Sequence, residues 1–104
     1  MELVLEQKFI DFDGQIIEDK PGEGFTLKKA MIRSLITPFP DEQSLTGEEK
    51  FARGELASRI NQATTITLDF KAEDIVLIKK LIAKAYTVQI VWQAWKMLEE
   101  MKTP

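Results

Sequence analysis

Val88-Gln89-Ile90-Val91-Trp92-Gln93-Ala94-Trp95-Lys96-Met97-Leu98-Glu99-Glu100-Met101 is the stretch on which the reading of this chain turns. At helical spacing Gln89, Gln93, Lys96 and Glu100 share one narrow polar strip, and apolar side chains take most of the remaining circumference. That is more apolar arc than one neighbour covers. Either the helix lies at the centre of a small core, or its surplus reaches a partner. Val88, Trp92, Trp95, Met97 and Met101 are the candidate partner contacts, because aromatic residues and Met are enriched at interface centres. A homodimer is the simplest such arrangement.

Working back from this helix, Tyr86-Thr87 reads as a break, with Thr87 placed to cap it. A preceding helix should begin near Ala72, with Glu73 and Asp74 at the positive end of its dipole. Ile75, Ile78, Leu81, Ile82 and Ala85 form its inner stripe, while Lys80 and Lys84 face outward. Thr64 to Leu68 is β-branched and alternating, which predicts a short strand. Thr46-Gly47-Glu48-Glu49 matches a capping box and predicts a helix to about Asn61, with Ala52, Leu56 and Ile60 inward. Asp41 to Leu45 should form a connecting loop.

Pro38 and Pro40 stop an earlier helix, which Thr26 can cap and which should run from Leu27 to about Ile36. Leu27, Ala30, Met31, Ser34 and Leu35 fall on one side of it. Glu18 to Gly24, with Pro and two Gly among charges, reads as an exposed loop. Upstream, Leu3 to Ile10, the Asp13-Gly14 turn signal and Gln15 to Ile17 predict a β-hairpin. The expected fold is α+β: an N-terminal β-hairpin plus a short third strand packed with about four helices, in the order β-β-α-α-β-α-α. The 104 residues suit a single domain, 1–104.

Composition limits the chemistry. With 44% hydrophobic and 30% charged residues the chain has the balance of a folded protein. Zero Cys removes thiolate nucleophiles and zinc–thiolate sites, and zero His removes the commonest general base. The N-terminal residues lack a signal-peptide pattern and no run is long enough for a membrane span, so a cytoplasmic location is expected. Asp11-Phe12-Asp13-Gly14 opens like a calcium loop but lacks the later acidic ligands, and a hairpin turn explains it better. Glu48/Glu49 and Glu73/Asp74 stand at helix starts, where the dipole accounts for them. No catalytic, cofactor-binding or metal-binding residue is assigned, and neither enzymatic activity nor a cofactor is expected.

The net charge of −3 gives no general attraction to phosphate. Two basic clusters stand out locally: Lys28, Lys29 and Arg33, and Lys79, Lys80 and Lys84. They are the candidate contacts for an anionic partner, though solvated helix faces beside an acidic hairpin explain them better. The Tyr86-Thr87 break invites a helix-turn-helix reading, but Gln89, Gln93 and Lys96 on an apolar cylinder make a poor recognition surface.

Leu45-Thr46-Gly47-Glu48-Glu49-Lys50, and Ala83-Lys84-Ala85-Tyr86-Thr87 followed by Val91 and Ala94-Trp95, resemble small proteins encoded in tailed bacteriophages and prophages. Those proteins share the layout of a Phe9-Ile10-Asp11-Phe12-Asp13-Gly14 type stretch, a capped central helix and a Tyr-terminated helix before the last. The resemblance covers most of the chain and implies a phage or prophage gene product in a bacterial host's cytoplasm, with no functional residues to carry over. The expectation is a non-enzymatic protein–protein interaction module, an assembly factor or adaptor using its C-terminal apolar helical surface. The alternative is a small nucleic-acid-contacting regulator using the basic helix faces.

Overall fold

Caps and breakers place four helices in the computed structural model, which describes residues 2–42, 44–63 and 67–99. These are α1 (Leu27–Ile36), α2 (Gly47–Asn61), α3 (Ala72–Ala85) and α4 (Val88–Glu99). At α1 the Thr26 hydroxyl accepts the Lys29 N–H at 3.3 Å. At α2 the capping box closes, the Thr46 hydroxyl accepting from Glu49 N–H at 3.0 Å while the Glu49 carboxylate accepts from Thr46 N–H at 3.3 Å. Asp74 accepts the Lys71 N–H at the start of α3, and extended backbone at Tyr86 ends that helix. Thr87 precedes α4, its carbonyl accepting the Val91 N–H at 2.9 Å.

Among the helices, α1 packs against both α2 and α3, and α3 packs in turn against α4. All five inward positions expected of α1 are buried, and Ser34 satisfies its hydroxyl by donating to the Met31 carbonyl at 2.9 Å. On α3, Ile78, Leu81 and Ile82 have no exposed surface. On α2 the pattern departs from expectation: Ala52 is exposed and Arg53 is buried beside Leu56, Ala57 and Ile60. The physical reason is an ion pair, since Arg53 donates through both terminal nitrogens to Glu42, at 2.8 and 2.7 Å. Glu42 belongs to a 3₁₀ turn, Pro40–Glu42, which overlaps the start of the span expected to be loop, Asp41 to Leu45.

The strands depart further. β1 (Glu2–Val4) pairs antiparallel with β4 (Thr67–Asp69), and β2 (Glu18–Lys20) pairs with β3 (Glu23–Gly24). Residues 64–66 of the expected third strand lie outside the described residues. The expected hairpin between residues 3–10 and 15–17 shrinks to a short pairing around the Ile10–Ile16 bridge, because Leu3 and Val4 leave it for β4. The expected loop at Glu18–Gly24 is itself a hairpin. It turns at Pro21-Gly22, where Gly22 has φ +84°, the value that the third residue of a type II turn requires.

A chain of backbone hydrogen bonds joins these passes, Phe9 N–H to Phe25 C=O at 3.0 Å and Phe25 N–H to Ile17 C=O at 2.7 Å. It brings the Phe9 and Phe25 rings to 5.2 Å, and Tyr86 closes on Phe25 at 5.5 Å. The described residues therefore make an α+β fold that is mostly helical. No helix among them is long and apolar enough to cross a membrane.

Candidate functional site

Helix α4 buries Ile90, Ala94 and Leu98, a single stripe at four-residue spacing. Its remaining apolar residues spread around that stripe. Val88 is 79% exposed and Trp92 52% exposed, while Trp95, Val91 and Met97 are half-buried. Met101 lies outside the described residues. The fold therefore leaves neither indole fully enclosed.

Between α4 and α3 lies an open cleft of about 580 Å³, lined by Val88, Val91, Trp92 and Trp95 from α4 and Ala83 from α3, with Lys96 and Glu99 as its charged members. A second depression of about 460 Å³ shares Ala83 and Trp95 and adds Val76, Lys79, Lys80 and Lys84. Together they form one apolar trough with two tryptophans and a lysine border. Val76, 66% exposed, extends the apolar surface along α3.

Both indoles are held in place. The Trp95 Nε1–H donates to the Lys79 carbonyl at 3.1 Å, and the Lys79 ammonium lies 4.5 Å from the same ring while pairing with Glu99 at 3.0 Å. Lys96 stands 4.6 Å from the Trp92 ring, whose other neighbour is Phe12 at 6.1 Å. Cations over indole faces give an electrostatic attraction that does not use up the charge. Side chains held this way lose little freedom when a partner arrives.

Gln89 and Gln93, read from sequence as part of a narrow polar strip, hold the 10–13 turn against α4. The Gln93 amide accepts the Ile10 N–H at 2.8 Å and donates to the Ile10 carbonyl at 2.5 Å, as a neighbouring strand would. The Gln89 carbonyl oxygen accepts the Phe12 N–H at 3.1 Å. No sequence pattern distinguishes these glutamines from solvated ones, since their partners lie 77 and 83 positions away. The turn has its own support: the Asp11 carboxylate accepts from the N–H groups of Asp13 and Gln15, each at 2.9 Å, and Gly14 takes φ +86°.

The basic candidates divide. Arg33 makes a forked contact with Asp19 at 2.6 and 2.9 Å, and Lys29 pairs with Asp19 and Glu23. Lys84 pairs with Asp41 at 2.9 Å and Glu42 at 3.4 Å, and Lys79 is held by Glu99. Lys28 and Lys80 make no ion pair among the described residues. The two forked pairs lower their acids: Arg33 holds the Asp19 carboxyl at about 2, and Arg53 does the same for Glu42, also at about 2. Of the α1 cluster, Lys29 and Arg33 are tied to the β2–β3 hairpin, whereas Lys79, Lys80 and Lys84 of α3 border the trough.

Comparison with protein-family models, curated proteins and solved structures found no match to this chain.

Proposed function

We propose that this protein is a non-enzymatic interaction module, an assembly factor or adaptor of phage or prophage type acting in a bacterial cytoplasm, which docks a protein partner in the trough between α3 and α4. The observation that supports this most is the pair of tryptophans, one half-exposed and one anchored by a hydrogen bond to the neighbouring helix, in an open apolar cleft. Large anchored aromatics in a cleft are the usual energetic centre of a protein interface. The nucleic-acid reading has less support, because four of its six candidate cations are already in ion pairs.

The test is affinity capture from cells in which the gene is expressed, with wild-type and Trp92→Ala proteins compared side by side. A protein retained by wild type and lost from Trp92→Ala supports docking through the cleft. Equal retention by both, with the variant folded by circular dichroism, would place the contact elsewhere. Salt-dependent retention of DNA would favour the regulator instead.

A further inference from the structure

We infer that the turn around the Ile10–Ile16 bridge is a latch on α4 that sets the orientation of Trp92, so that a segment near the N-terminus governs how the docking cleft presents its exposed indole. The latch stands on its own geometry, and its effect on docking rests on the cleft being used as proposed above.

The turn is a stiff unit with little apolar burial to hold it down. Within it the Asp11 N–H donates to the Gln15 carbonyl at 2.8 Å and the Gly14 N–H to the Asp11 carbonyl at 3.0 Å. Behind it stands Phe9, fully buried and bonded through its backbone to both Ile17 and Phe25. Ahead of that anchor Ile10, Phe12 and Ile16 are all exposed.

What fastens the turn to α4 is polar. In the Ile10–Ile16 pair the cross-strand bonds belong to the flanking residues, Asp11 to Gln15 and Ile17 to Phe9, so the N–H and C=O of Ile10 point away from the hairpin. Gln93 takes both, and its amide nitrogen also donates to the Gln89 carbonyl at 3.1 Å. Every hydrogen-bonding position of that amide is therefore directed by a fixed backbone group. Gln89, one turn earlier on α4, holds the Phe12 N–H.

Fixing the backbone at Ile10 and Phe12 is what brings the Phe12 ring against Trp92. The two tryptophans of the cleft are consequently set by different means. Trp95 is tied by its own N–H to the Lys79 carbonyl, whereas the Trp92 ring lies between Lys96 and Phe12. Lys96 is an exposed side chain on a flexible four-carbon stem. Phe12, carried on the latched turn, is the firmer of the two walls.

Fluorine NMR of the full chain labelled with 5-fluorotryptophan, its two signals assigned with Trp92→Phe, reads the indoles, and amide hydrogen exchange reads the latch. The double variant Gln89→Ala/Gln93→Ala keeps good helix formers on α4. In it the Ile10 and Phe12 amides should exchange about two- to tenfold faster, the net effect of one hydrogen bond, and the Trp92 signal should move while that of Trp95 stays. Phe12→Ala, at a position 73% exposed, should move the Trp92 signal and leave exchange at Ile10 unchanged. Unchanged exchange at Ile10 in the double variant, or a Trp92 signal that stays put in either variant, would overturn the latch; so would a Trp95 signal that moves as far as that of Trp92, which marks a general loosening of α4. Where wild type captures a protein partner, both variants should retain less of it, and equal retention would overturn the effect on docking. Wild-type protein that captures nothing would overturn the docking reading, with the latch decided by the spectra.

Discussion

Helices α2 and α4 flank the run of helix contacts α2–α1–α3–α4, and they treat their outward sides in opposite ways. Inward, each contributes a narrow buried stripe: Leu56, Ala57 and Ile60 from α2, and Ile90, Ala94 and Leu98 from α4. Outward, α2 shows charges, two glycines and a single large apolar residue, Phe51, whereas α4 shows Val88 and Trp92 beside the half-buried Trp95. Scattered exposed apolar residues need no explanation, but a contiguous aromatic patch does. Burial alone thus separates what holds the protein together from what its surface is available to do.

The sharpest way to break this comparison is to truncate the inner stripes. Ile60→Ala and Ile90→Ala should each cost about 2–5 kcal/mol, because both remove buried methyl groups and leave cavities. Urea denaturation measures it. A loss under about 1 kcal/mol from Ile90→Ala alone, well short of the cost expected for a buried Ile, would mean that α4 is only loosely docked and that its apolar outer face is a consequence of poor packing.

A smaller effect is expected at the polar anchor of α2. Arg53→Ala removes the forked contact to Glu42 and should cost about 2 kcal/mol, the usual range for hydrogen bonds between charged groups. Its signature is pH dependence. Unfolded Glu42 takes up a proton near its ordinary 4.5 and folded Glu42 only at about 2, so this stabilisation is complete above about pH 5 and is lost as pH falls toward 2. Asp19, held at about 2 against its ordinary 3.8 by Arg33 first and Lys29 second, acts with the same sign. Melting temperatures between pH 7 and pH 2 should therefore fall less steeply in Arg53→Ala than in wild type.

On the exposed side of α2, Gly54 meets nothing within 4 Å where a side chain would begin. Gly54→Ala should accordingly stabilise the protein by about 1 kcal/mol through helix propensity. A destabilised variant would show that α2's outer face is covered within one copy, which would remove the contrast between the flanks.

How far the sequence revealed this arrangement depends on the range of the forces involved. Helix limits were legible because caps and breakers act over three or four residues: Thr26, the Thr46–Glu49 box and Tyr86-Thr87 all mark the observed ends. Strand pairing was not, because Leu3 and Val4 choose partners 63 and more positions away. The β2–β3 hairpin had a local signal in Pro21-Gly22, but Glu18-Asp19-Lys20 has little β propensity, and its placement rests on Asp19 meeting Arg33 and Lys29. At the candidate site the surplus of apolar residues on α4 was visible by counting. Which of them would be exposed was set by where α3 lies, and the role of Gln89 and Gln93 was set by a turn at the other end of the chain.

The smallest effect sharpens the comparison most. Val88 is the most exposed large apolar residue of α4, at 79%, so Val88→Ala should change the stability of an isolated copy by less than about 0.5 kcal/mol, as for surface positions generally. Measured by urea denaturation at low protein concentration, a value near zero beside a large loss for Ile90→Ala would assign the two sides of one helix to different tasks. If Val88→Ala cost as much as Ile90→Ala, the trough would be part of the monomer's own core, and its tryptophans would need no partner to account for them.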